Sequence, residues 1–124
     1  MDETERKTSI IGKREQTGEV RISDEVIAII ADLAIGDVEG ISTYSSRKGK
    51  RAYGKGIGIR VEDNNVYVNV SIILKKGYKV AAVAPTIQQK IKASIENMLE
   101  MNVKEVNVYV VGIQTDKAAL EQDK

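Results

Sequence analysis

Neither cysteine nor histidine occurs anywhere in the 124 residues, and the two absences remove much of the usual protein chemistry. Without cysteine there is no disulfide framework, no thiolate metal site and no thiol nucleophile. Without histidine the chain lacks the commonest general acid or base near neutral pH and the commonest zinc ligand. Carboxylates, lysines, tyrosines and hydroxyls are all that remain. No catalytic residue, cofactor or metal is therefore expected. Phe and Trp are absent too, leaving five tyrosines as the only aromatics, which argues against a base-stacking platform. Charge of one sign is not in excess: 19 Lys and Arg stand against 18 Asp and Glu, so any charge-driven function has to be local. Long apolar runs are also missing. The longest, Val26 to Ala31, falls far short of the roughly 20 residues that a membrane-spanning helix needs. The opening Met1-Asp2-Glu3-Thr4-Glu5-Arg6-Lys7 has no basic-then-apolar order of a secretory signal, so the cytoplasm is the expected location.

What is present is patterned. Ile57, Ile59 and Val61 alternate with Gly58, Arg60 and Glu62, and after Asp63-Asn64-Asn65 the alternation resumes through Val66, Val68, Val70, Ile72 and Leu74. A period of two sorts side chains onto one face of a strand, and Asp and Asn tolerate the left-handed backbone of a tight turn. The stretch is a hairpin with one apolar side. An isolated hairpin is marginal in water, so that side must be covered from elsewhere.

Two segments are suited to cover it. Ser23-Asp24-Glu25 offers a capping hydroxyl followed by carboxylates at the positive end of a helix dipole. Val26, Ile29, Ile30 and Leu33 follow at helical spacing, and Gly36 closes the segment, predicting a first helix over 23–35. Val80, Val83, Ala84, Ile87, Ile91, Ile95, Met98 and Leu99 form a longer stripe, with Gln88, Gln89, Lys90, Lys92 and Glu96 on the other side. Pro85 suits the first turn of that helix and would kink it if the start lies as early as Val80. Asn102 can take the left-handed cap. Short strands are predicted at 18–22 and after Val38, and a last strand runs from Val103, with Val106, Val108 and Val110 on one face and Asn107, Tyr109 and Val111 on the other.

The predicted fold is α+β: a two-layer sandwich in which one mixed sheet of four to five strands carries both helices on one face and leaves the other open. The crossover through the second helix should be right-handed, and the pairing partner of the last strand is left open. Residues 1–16 are expected to be a mobile arm, 17–113 a single domain and 114–124 a short charged tail.

Near-matches to catalytic and phosphate motifs fail on context. Gly49-Lys50-Arg51-Ala52-Tyr53-Gly54-Lys55-Gly56 ends in glycine where a P-loop needs a hydroxyl, and it leads into a strand, not a helix. Ser45-Ser46-Arg47-Lys48 has the spacing of some acyl-transfer serines without their helix. The basic run itself, Arg47, Lys48, Lys50, Arg51 and Lys55, is read either as a solvated loop or as a contact for lipid headgroups or RNA phosphates. On the open sheet face Tyr67, Asn69, Ile73, Asn107, Tyr109 and Val111 form the candidate protein interface, since tyrosine adds contact area at low entropic cost. Folding of the arm over this face is the bland alternative. An RNA-binding module using Tyr67, Tyr109 and the basic loop is the alternative function.

Several of these segments, in this order and spacing, resemble the alkaline-shock protein family, a bacterial group linked to envelope stress. The resemblance runs from Gly18 to Ile113. It is carried by Gly18-Glu19-Val20-Arg21-Ile22 before Val26-Ile27-Ala28-Ile29-Ile30-Ala31, by Val38-Glu39-Gly40-Ile41 and by the Gly58-to-Val70 hairpin. Val83-Ala84-Pro85-Thr86-Ile87-Gln88-Gln89-Lys90-Ile91 and Val103-Lys104-Glu105-Val106-Asn107-Val108-Tyr109-Val110 complete it. It implies a soluble, cytoplasmic, non-catalytic protein with no small-molecule substrate. Such proteins often self-associate and in some members are held beside the membrane by a membrane-spanning relative. The extended acidic or low-complexity tail of longer members has no counterpart here, and shorter members are associated with housekeeping envelope or lipid physiology. The resemblance therefore implies a scaffold or interaction protein, paired with itself and with a membrane-anchored partner at the inner face of the cell membrane.

Overall fold

A computed structural model describes residues 8–15, 18–43 and 54–115, the first of these as backbone only. The elements are β1 Thr8–Glu15, β2 Gly18–Ser23, α1 Asp24–Ala34, β3 Ile41–Thr43, β4 Ile57–Glu62, β5 Asn65–Lys75, α2 Val80–Leu99 and β6 Asn102–Gln114. The expected α+β sandwich is what they build.

β5 is the centre of a four-stranded mixed sheet. β3 and β4 lie end to end along one of its edges, both antiparallel to it, β3 opposite Ile72 to Leu74 and β4 opposite Asn65 to Val70. β6 runs parallel to β5 along the other edge, which settles the partner of the last strand. The turn joining β4 to β5 has Asp63 at φ 57, the left-handed backbone the sequence calls for. Both helices cover one side of the sheet, where the alternating residues Val66, Val68, Val70 and Ile72 are wholly buried against Ile87, Ile91 and Ile95 of α2, Ile27 of α1 and Ile35 just after it. Burying each such side chain contributes roughly 1.5–3 kcal/mol, so this seam supplies the main drive to fold.

Several details differ from the sequence reading. Residues 8–15, which fall within the expected mobile arm, form β1, which pairs antiparallel with β2 in a two-stranded ribbon separate from the main sheet. A polar composition denies a segment a core but leaves its backbone groups free to pair. α1 is capped as predicted, the Ser23 hydroxyl accepting from the Val26 amide at 3.2 Å. Its buried face, however, is Ile27, Ile30 and Ala31, and Val26 and Leu33 are exposed. The helix is apolar on nearly every side, so spacing alone does not give its phase. α2 starts at Val80 and places Pro85 inside the helix, removing the bond that residue 85 would donate to the Ala81 carbonyl. Val80 and Met98, counted in its apolar stripe, are exposed at its two ends. The left-handed residue that ends α2 is Glu100, at φ 57, and Asn102 already belongs to β6. The chain there is drawn back early because the Asn102 amide donates to the Asn64 carbonyl in the hairpin turn at 2.9 Å.

Candidate interaction surface

The side of the sheet away from the helices is ordered in cross-strand rows, since paired residues point to the same face. Arg60, Tyr67 and Glu105 form one row, Gly58, Asn69 and Asn107 the next, then Ser71 with Tyr109, and finally Ser42, Ile73 and Gly112. The first rows are satisfied within the chain. The Arg60 guanidinium lies 3.9 Å over the Tyr67 ring and is paired with Glu62, and Asn107 donates to Asn69 at 2.9 Å and to Glu105 at 3.3 Å. Ile73, expected in water, is buried at 9% exposure. It sits in the central strand with a neighbour on each side, and Ser42 on β3 donates across it to Gln114 on β6 at 3.5 Å. Of the six candidate interface residues, the two large apolar side chains left in solvent are Tyr109 at 50% and Val111 at 51%. Both are on β6.

Val111 falls at a register shift, and β6 carries two more exposed side chains on the side opposite Tyr109. Val110 and Ile113 pair with the core residues Ile72 and Leu74 and so turn toward the helix layer, yet they are 38% and 63% exposed. The alternation predicts that Val110 is sealed by the helices, but the helix layer leaves it partly in solvent. Polar side chains of α2 close the beginning of β6: Gln88 donates to the Val106 carbonyl at 3.0 Å, Lys92 to the Val103 carbonyl at 3.4 Å, and the Glu96 carboxylate accepts from the Val103 amide at 3.0 Å. The Lys92 ammonium, and after it the Val103 amide, holds the Glu96 carboxyl below the usual carboxylate range. The sequence pattern alone reads Gln88, Lys92 and Glu96 as a solvated face, and their spacing of four is the signal that they act together.

The basic run falls mostly outside the described residues: Arg47, Lys48, Lys50 and Arg51 do so, and so do the serines of the acyl-transfer near-match. Lys55 is exposed where the chain re-enters the sheet. With Asp24, Glu25, Ala28, Ile29, Gly54, Ile57 and Ile59 it lines an open cleft of about 540 Å³ between α1 and β4. Below the cleft the buried Asp32 carboxylate accepts from the Gly54 amide at 2.7 Å and pins the returning chain to α1. Among the described residues no cluster of three or more acidic side chains is placed to hold a metal ion.

Comparison with known proteins follows the same span. Residues 12–115 match the model of the alkaline-shock protein family, described as having a cell envelope-related function. The uncharacterized protein YqhY of Bacillus subtilis is 31% identical over 112 residues, covering 84% of this chain and 83% of that one. A stress response regulator gls24 homolog of Streptococcus pyogenes is 27% identical over 116 residues, 86% of this chain and 64% of the relative. Among solved structures, MamM CTD in a zinc form aligns with a TM-score of 0.45 and 12% identity over 76% of this chain and 87% of that one.

Proposed function

Given that this chain belongs to the alkaline-shock protein family, with its cell envelope-related function and its stress-response relatives, we propose that it is a non-enzymatic scaffold. In this reading it works by surface contact, binding further copies of itself and docking to a membrane-anchored partner on the cytoplasmic side of the membrane. The observation that carries the reading is the concentration of exposed apolar side chains on one strand, β6, while the rest of the open face is occupied by internal pairs. Large apolar side chains gathered at one place on an otherwise polar surface mark contact sites. A residue set without histidine or cysteine supports the non-enzymatic part. Among the described residues no helix is long and apolar enough to cross a membrane, so on this reading attachment to the envelope comes through a partner.

Sedimentation of the full chain tests the first half. A dimer or larger species is expected, shifted toward monomer by Tyr109→Asp with Val111→Asp; a wild type that stays strictly monomeric at high concentration counts against self-association. Affinity capture from cells, with and without the membrane fraction, tests the second half. Recovery of a membrane-spanning protein only when membranes are included is the expected result.

A further inference from the structure

We propose that the free edge of β6 from Val108 to Ile113 pairs antiparallel with the same edge of a second copy, joining two four-stranded sheets into one. The proposal rests on the self-association reading above and supplies its geometry: an edge contact in place of a face contact.

The backbone shows where the edge is open. Alternate residues of an edge strand turn both their amide and carbonyl outward. On β6 the outward residues are identified by their partners on α2, namely Val103 and Val106. Their spacing of three reflects the register shift between them, where Val66 pairs with Val103 but Tyr67 pairs with Glu105. From Val106 the outward set continues by twos through Val108 and Val110. The side chains that close the edge stand four apart on α2, Glu96, Lys92 and Gln88, and the same row continues with Ala84 and Val80, which carry no donor or acceptor. The cover therefore ends at Val106. Among the described residues β6 is paired with β5 alone.

The side chains say what fits. Tyr109 pairs with Ser71 and lies on the open side, whereas Val110 and Ile113 lie on the helix side, and all three are exposed. A partner on the open face would leave Val110 and Ile113 in water. A strand laid along the edge shelters both sides at once. The occupant is a second copy because the run from Val106 to Thr115 contains no charged residue in a chain that is 30% charged. Lysine or proline, which commonly protect such an edge, are absent from this stretch. A two-fold axis sets this neutral run against itself without like-charge repulsion, and a contact of this kind closes as a dimer. A charged partner strand would find no opposite charge to meet.

Amide hydrogen exchange on the full chain, read residue by residue at low and high protein concentration, tests the pairing. Within the dimer the amides of Val108 and Val110 should slow by at least about tenfold, while those bonded inward to β5 exchange slowly at both concentrations. The second arm is Val110→Pro, which removes an outward amide that β5 does not use. It should weaken dimerisation by about tenfold or more with the circular dichroism of the monomer unchanged, the loss expected for one or two hydrogen bonds. A dimer in which Val108 and Val110 still exchange as fast as in the monomer overturns the edge geometry and leaves self-association standing. A chain that is monomeric at every concentration overturns both.

Discussion

Gly40 has little freedom to change. It precedes β3 at φ 95, and a Cβ placed there would lie 2.5 Å from the Tyr78 ring, so both the backbone and the space demand glycine. Gly40→Ala is expected to cost about 2–4 kcal/mol in a denaturant titration, the sum of a left-handed strain and an overpacked ring. Glu96 makes a pH-dependent contribution. Its native carboxyl lies below its ordinary value of 4.5, so the stabilisation is complete above that pH and is lost as pH falls through the lowered native value. Thermal melts from pH 7 down to 3 should therefore show a smaller loss in Glu96→Gln than in the wild type. The variant should be the less stable of the two at pH 7, because the Val103 amide and Lys92 lose their anionic acceptor. Neither residue stands out in the sequence: Gly40 needs its distant partner Tyr78, and Glu96 needs a strand that the chain reaches only after the helix has ended.

Elements are legible in proportion to how one-sided they are. β5 alternates strictly and its buried set, Val66, Val68, Val70 and Ile72, follows directly from the pattern. The α2 stripe of Val83, Ile87, Ile91, Ile95 and Leu99 is equally plain, flanked by charge. Ile91→Ala at its centre should destabilise by about 2–5 kcal/mol by equilibrium unfolding, since the fully buried site has little room to collapse. α1 shows the opposite case: with apolar residues on nearly all sides, its phase is chosen by the sheet and by α2, not by its own sequence. β1 leaves no trace in the pattern, because backbone pairing needs no apolar signature, whereas the alternation over 18–22 does give its partner β2. Pro85 offers a gain. Pro85→Ala should raise stability by about 1–3 kcal/mol, because it restores the bond to the Ala81 carbonyl at an exposed position of α2, and calorimetry would show it.

The whole molecule is asymmetric along its sheet. One edge is made of two short strands laid end to end, and the other is a single strand of 13 residues that, among the described residues, is covered only over its first few positions. If copies join through that second edge, folding and assembly are linked by mass action, and the melting temperature of the wild type should climb by a few degrees over a hundredfold rise in protein concentration. That of Val110→Pro should begin the same climb only at a concentration at least about tenfold higher. The first edge has its own implication. β3 ends at Thr43, and β4 takes up the same line along β5 after Gly54, whose amide Asp32 holds to α1. Loss of that clasp, as in Asp32→Ala, should therefore loosen β4 first, seen as faster amide exchange there than in β5.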